Sequence, residues 1–139
     1  MRPLTDLPSG DAVGEFVEVM RRLRTECAWK AGQTHESLVP FLREETEELV
    51  EAISSGDADH VCEELGDVLL QVVFHAVIAE QAGAFTLDDV ARGITEKMRR
   101  RSPHVFDPAS IGRSPGDPPL DPVAIDELWE SIKRDEKKA

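Results

Sequence analysis

The sequence is short of cysteine, of positive charge and of long apolar runs, and each shortage excludes a class of protein. Its two cysteines, Cys27 and Cys62, stand far apart and outside any metal-ligand spacing. Because no signal-peptide pattern precedes them, we expect reduced thiols in a cytoplasmic protein. The most apolar run, residues 68–79, contains Gln71 and His75 and is too short to cross a bilayer, so no membrane partner is expected.

Acidic residues outnumber basic ones by 28 to 16, which gives a formal net charge of −12. Nucleic-acid-binding proteins usually carry a clear basic face, so this excess argues against a nucleic-acid partner. A small phosphorylated ligand is still compatible with it, because a local cation cluster or a bound metal reverses the field within a pocket. At 139 residues the chain fits one domain.

Helical spacing dominates the pattern of apolar residues. No stretch has the alternation of a strand and no internal repeat is visible, so we predict an all-α fold of about five helices. The predicted first residues or N-caps of these helices are Asp11, Thr34, Asp57, Thr86 and Asp121. Residues 1–10 are predicted to be a flexible tail, and residues 11–139 a single domain with a Pro/Gly-rich connection at 107–122.

The acidic residues of the second predicted helix are not equivalent. A helical wheel places Glu45 inside the apolar arc centred on Leu42, and Glu48 at the rim of that arc. A carboxylate is costly to bury without a partner, so Glu45 fits a solvated face poorly. The acids that project roughly opposite, as expected of a solvated face, are Glu44, Glu47 and Glu51.

The third predicted helix is apolar nearly all round, which favours a central position. Its polar residues form one stripe: His60, Glu64, Asp67, Gln71 and His75. On the wheel Asp67 is flanked by Leu70 and Phe74, which favours a partly buried site over plain solvent exposure. Glu64 and Asp67 are three residues apart, as are the two acids of the second helix, so each helix presents two carboxylates on one side.

Four carboxylates without a Cys or His at ligand spacing favour Mg²⁺ or Mn²⁺ over zinc. A di-iron protein would need Glu-x-x-His pairs, which neither Glu45 nor Glu64 supplies. Lys97 and Arg101 form a basic pair near the end of the fourth helix, where an interaction with the helix dipole is the ordinary role. Combined with a metal site, the same pair would clamp a polyphosphate. The residues alone therefore predict a metal-dependent phosphohydrolase.

Several short strings then occur in one order along the chain. They are CAWKAGQTH at 27–35, EETEE at 44–48, ELGD at 64–67, QVVFHA at 71–76, KMRRRSPHVF at 97–106 and WESIK at 129–133. Five of them resemble the MazG family's CPWDxxQTH, EExxE, ExxD, KxxRRHPHVF and WxxIK motifs, and QVVFHA resembles the continuation of the family's third helix. The chain departs from the family pattern at Ala28 and Lys30, which replace Pro and Asp, and at Ser102, which replaces His.

The resemblance implies an all-α enzyme that uses Mg²⁺ to hydrolyse nucleoside triphosphates to a monophosphate and pyrophosphate, in the clearance of surplus or non-standard nucleotides. It also implies a homodimer or higher homo-oligomer, in which the carboxylate-bearing helices of two chains pack into a core like a four-helix bundle. The implied metal ligands are Glu45, Glu48, Glu64 and Asp67. Glu44 lies beside them as a further catalytic residue, either as an additional ligand or as a residue that helps to orient water. The implied substrate contacts are Lys97 and Arg101 for the triphosphate, Trp129 and Lys133 near the base, and Trp29 at the border of the pocket or in a dimer contact.

Two other functions fit the same residues. One is a related enzyme on this scaffold, such as a dUTP or phosphoribosyl-ATP pyrophosphohydrolase. The other is a non-catalytic helical regulatory protein that keeps the acidic residues only as a structural ion site.

Overall fold

The computed structural model describes residues 11–138, and every regular element in that range is helical. The α-helices are α1 (Ala12–Glu26), α2 (Ala28–Ala31), α3 (His35–Ser55), α4 (Ala58–Gln81), α5 (Leu87–Arg101), α6 (Pro103–Phe106) and α7 (Pro122–Lys138), with a 3-10 helix at Pro108–Ile111. The predicted all-α class is confirmed, whereas the predicted tail at residues 1–10 lies outside the described residues.

The described chain has seven α-helices, so the prediction of about five was wrong. The two additional ones, α2 and α6, are single turns of four residues each. A single turn is too short to show a repeating apolar face, so periodicity cannot reveal it. The last helix continues through a mixed-charge segment to Lys138.

Local capping fixes the boundaries of the longer helices. The Asp11 carboxylate accepts a hydrogen bond from the Gly14 amide at 2.9 Å, and Thr34 forms a capping box with Ser37. Gly56 ends α3 with a φ of 73°, in the left-handed region that favours glycine. Asp57 then caps α4 directly. Since so short a connection makes α3 and α4 antiparallel neighbours, it brings the acidic residues late in α3 beside those early in α4.

The chain forms two compact units, one that ends at Leu87 and one that begins at Asp88. In the first unit α4 packs against both α3 and α1. The buried core side chains of this unit are Val17, Met20, Leu38, Val73, Phe74 and Val77. A charged pair adds to the α1–α4 contact, because the Arg21 guanidinium donates to both carboxylate oxygens of Glu80 at 2.8 Å.

The buried side of α3 differs from the arc predicted around Leu42. Leu42 is exposed, whereas Leu38 and Ala52 are buried and Glu45 lies midway between them at seven-residue spacing. The reason is that α4 covers this line of residues. Large apolar side chains also remain exposed on both helices: Val39, Phe41, Leu42, Val50 and Ile53 on α3, and Leu65, Leu69 and Val72 on α4.

No helix among residues 11–138 is both long and apolar enough to cross a membrane.

Candidate metal centre

Four carboxylates from α3 and α4 converge in the first unit. Each of Glu45, Glu48, Glu64 and Asp67 offers one oxygen atom, and these atoms all lie within 4.8 Å of one another. The side chains are partly buried, except for Glu64, which is buried with 8% of its surface exposed. Glu44 is exposed and lies outside this group. The structure therefore brings together the four acids that the sequence pairs by spacing.

The electrostatics of the cluster are unfavourable without a counter-ion. Burial, followed by the charges of Glu48 and Asp67, raises the pKa of Glu45 to about 7. Burial also raises the pKa of Glu64, with the same two carboxylates adding to the effect. One buried oxygen of each, Oε2, accepts no hydrogen bond from residues 11–138. Acceptors left unpaired among like charges fit a bound cation, and an all-oxygen donor set fits a hard one.

His60 also belongs to this neighbourhood, although the sequence placed it only on the polar stripe of α4. Its Nε2 lies 3.4 Å from Glu64 Oε1, one helical turn away. The charge of a protonated His60 lowers the pKa of Glu64, in opposition to burial. The signal that could have identified His60 as a neighbour of the site is its i, i+4 spacing to Glu64.

The raised pKa of Glu45 predicts that metal binding depends on pH. The metal-free protein keeps a proton on this carboxyl below about pH 7, whereas a cation requires the carboxylate. We expect the affinity for Mg²⁺ to rise from about pH 6 to pH 8, with proton release on binding. Calorimetry in two buffers of different ionisation enthalpy measures that release. Glu45→Gln should reduce the release and the exposed Glu51→Gln should not. An affinity independent of pH would contradict the prediction.

The same shift affects folding in a defined direction. Because the pKa of Glu45 is higher in the folded than in the unfolded chain, its contribution to stability is present below the ordinary pKa of 4.5. That contribution is lost as the pH rises through about 7. Bound Mg²⁺ should offset the loss, so the difference in Tm between metal-bound and metal-free protein should grow over this range.

The polar stripe of α4 continues beyond the carboxylates. Gln71 is buried, and its Oε1 has no hydrogen-bond donor within residues 11–138. One turn further, His75 Nδ1 lies 2.7 Å from His35 Nδ1, and the two rings stack with centroids 5.0 Å apart. Burial and the charge of His35 lower the pKa of His75. A neutral His75 is therefore favoured, and one of the two Nδ1 atoms donates to the other.

Trp29 lies in the single-turn helix α2, and hydrogen bonds fix the segment between α1 and α3 that contains it. Arg24 donates to the carbonyl oxygens of Lys30 and Gln33 at 2.5 and 2.7 Å. Gln33 in turn donates from Nε2 to the Trp29 carbonyl at 3.0 Å. The indole remains 51% exposed in this chain and makes an edge contact with Phe41, with ring centroids 5.6 Å apart. Trp29 is therefore an exposed aromatic residue on a segment whose backbone is held in place by hydrogen bonds.

The remaining predicted substrate contacts all lie in the second unit. Lys97 and Arg101 stand on α5, and Trp129 and Lys133 on α7. Arg101 and Trp129 meet directly, because the guanidinium carbon lies 5.0 Å from the centroid of the indole. Arg101 is also paired with Glu136, a residue that the sequence did not single out.

Comparisons with known proteins point to one family. Residues 33–106 match the model of the MazG nucleotide pyrophosphohydrolase domain. The chain is 51% identical to the nucleoside triphosphate pyrophosphohydrolase/pyrophosphatase MazG of Thermotoga maritima, over 88% of this chain and 44% of that protein. It is 36% identical to the nucleoside triphosphate pyrophosphohydrolase of Escherichia coli K12, over 90% of this chain and 46% of that protein. The chain thus spans less than half the length of these relatives.

The fold has a counterpart among solved structures. The crystal structure of a mazG-related protein from Thermotoga maritima superposes with a TM-score of 0.70 over 87% of this chain and 98% of that one. The sequence identity is 23%, so this likeness is evidence of the fold alone.

Proposed function

The chain belongs to the MazG nucleotide pyrophosphohydrolase family, and on this basis we propose that it hydrolyses nucleoside triphosphates to a monophosphate and pyrophosphate. The observation that carries the proposal is the convergence of four carboxylate oxygens within 4.8 Å of one another. These oxygens would hold Mg²⁺ as the cofactor, with Mn²⁺ as a substitute, since both ions prefer oxygen ligands. We also propose that the protein acts in the cytoplasm.

In the proposed reaction the metal would be held by Glu45, Glu48, Glu64 and Asp67. When bound, the ion would supply Lewis-acid stabilisation of the negative charge on the phosphate oxygens. Glu45 releases its proton as the site is filled, because only the carboxylate binds a cation. Glu44, exposed beside the cluster on α3, is proposed to help orient the attacking water.

The other side chains are proposed to hold the substrate. Lys97 and Arg101 contact the triphosphate, for which a planar guanidinium and a compact ammonium are suited. Trp129 and Lys133 lie near the base, and the exposed face of Trp29 borders the pocket.

We propose a homodimer or higher homo-oligomer, in which the exposed apolar side chains of α3 and α4 pack against those of a second copy as in a four-helix bundle. Val50 is 51% exposed, Ile53 60% and Leu65 52%, although all three are apolar. Exposed apolar surface of this extent on two neighbouring helices is typical of an interface between subunits.

Turnover of a nucleotide panel, with Mg²⁺ and with EDTA, tests the proposal. We expect release of pyrophosphate from nucleoside triphosphates only with the metal present. Hydrolysis restricted to dUTP, or to phosphoribosyl-ATP, would favour the related enzymes on this scaffold. Failure to turn over any nucleotide in Mg²⁺ or Mn²⁺ would contradict the enzymatic function and favour the regulatory alternative.

A further inference from the structure

Glu136 on α7 joins two arginines of α5 in the second unit. Its Oε2 accepts from Nη2 of Arg101 at 2.9 Å and from Nε at 3.2 Å, while its Oε1 accepts from Nε of Arg100 at 2.5 Å. These hydrogen bonds lower the pKa of Glu136 to about 2, first through Arg101 and then through Arg100. The carboxylate is therefore charged throughout the neutral range.

The two arginines are held to different degrees. The Arg101 side chain is only 12% exposed, and its guanidinium also packs over the Trp129 ring. Arg100 is 54% exposed, and Glu136 is its one charged partner within residues 11–138. A guanidinium held along one edge by a carboxylate and across one face by an indole has a fixed plane.

Glu136 occupies only one of the two edges with which a guanidinium binds an anion. The occupied edge is formed by Nε and Nη2 of Arg101. The other edge, which contains Nη1, has no hydrogen-bond acceptor within residues 11–138. Two parallel N–H groups on a free edge match two oxygens of a phosphate.

We propose that Glu136 is a positioning residue, which orients the guanidinium of Arg101 so that its free edge receives the polyphosphate of the substrate. This role rests on the proposed function, in which Arg101 contacts the triphosphate. Glu136 itself does not touch the substrate and acts through Arg101. The charge of Glu136 opposes anion binding, so the orientation that it provides must outweigh this repulsion.

The charge of Glu136 and its orienting effect on Arg101 change the affinity for an anion in opposite directions. If Glu136 served only to neutralise positive charge, Glu136→Ala would strengthen the binding of an anion. If it orients Arg101, the same change weakens binding, because the freed guanidinium must be ordered again when the ligand binds. The two roles therefore predict opposite changes in one dissociation constant.

The experiment measures the binding of inorganic tripolyphosphate to the full chain by calorimetry in Mg²⁺. We expect Glu136→Ala to raise the Kd about tenfold and Glu136→Gln, which keeps one acceptor oxygen, to raise it less. Glu127→Gln is the matched control, since Glu127 is an exposed acid of the same helix, and its Kd should equal that of the wild type. In turnover, Glu136→Ala should raise KM with little change in kcat.

A double-mutant cycle with Arg101→Ala separates positioning from a general loss of structure. In the Arg101→Ala background, removal of Glu136 should change the Kd by less than about twofold. Tighter or unchanged binding by Glu136→Ala, or a full tenfold effect without Arg101, would overturn the inference. Should Glu136→Ala fail to fold, Glu136→Gln decides by the same criteria. The wild type could bind tripolyphosphate, and the variants could show the expected changes in Kd, while no nucleotide is turned over. That result would overturn the proposed function and leave the positioning role of Glu136 intact.

Discussion

Replacement of Glu48 by glutamine is expected to lower Mg²⁺-dependent hydrolysis about a thousandfold and to leave the fold intact. The proposed site holds its cation with four carboxylates, and Glu48 supplies one of the converging oxygens. A bound metal contributes several kcal/mol of charge stabilisation, and each tenfold in rate is about 1.4 kcal/mol. Asp67→Asn removes the equivalent charge from α4 and should have a similar effect.

Although Glu48→Gln should lose activity, its metal-free form should be at least as stable as the metal-free wild type. The charge of Glu48 raises the pKa of both Glu45 and Glu64, so its removal relieves repulsion within the cluster. We therefore expect Glu48→Gln to have an equal or higher Tm in EDTA, together with a lost response of Tm to Mg²⁺. The exposed Glu51→Gln, on the same helix, is the control for both measurements. Normal turnover by Glu48→Gln or Asp67→Asn would contradict the assignment of these residues as metal ligands.

Replacement of Phe74 by alanine is expected to lower the free energy of unfolding by about 3–5 kcal/mol. Phe74 is 1% exposed and lies in the core cluster where α4 meets its neighbours. The loss has two sources, the transfer free energy of the ring and the cavity that a packed core leaves behind. Urea denaturation followed by far-UV circular dichroism measures it.

The control for Phe74 is a substitution of an exposed apolar residue. Val13 on α1 is 53% exposed, so Val13→Ala should change the free energy of unfolding by less than about 0.5 kcal/mol. A loss below about 1 kcal/mol for Phe74→Ala would contradict the central position of α4.

The boundaries of the long helices were predictable because capping is local. Asp11, Thr34 and Asp57 each accept a backbone hydrogen bond from a residue two or three positions further on. The left-handed conformation of Gly56 is likewise a property of a single residue. Such signals lie within a few residues of one another, and a sequence shows them directly.

The buried side of α3 was not predictable in the same way. The wheel centred its arc on Leu42, whereas packing against α4 covers the line from Leu38 through Glu45 to Ala52. Apolar residues occur on both sides of that line, so the sequence alone does not show which of them a neighbour covers. Tertiary contacts within this chain decide that choice.

The sequence showed which acids of the candidate site share one side of a helix, but it did not show which side chains of distant helices contact one another. The i, i+3 acids of α3 and α4 lie on one side of each helix by geometry, and the short turn at Gly56 places the two pairs together. By contrast, the contacts of His35 with His75 and of Arg101 with Glu136 join residues 40 and 35 positions apart. Each depends on the register of two helices, which no local pattern encodes.

Phosphorus NMR of the products of a nucleoside triphosphate incubated with the protein and Mg²⁺ tests the central claim most directly. The proposed function predicts a nucleoside monophosphate and pyrophosphate in equal amounts. Neither product should form in EDTA, and Glu48→Gln should form both about a thousandfold more slowly. A nucleoside diphosphate with orthophosphate, or products that form equally well without a divalent metal, would contradict it.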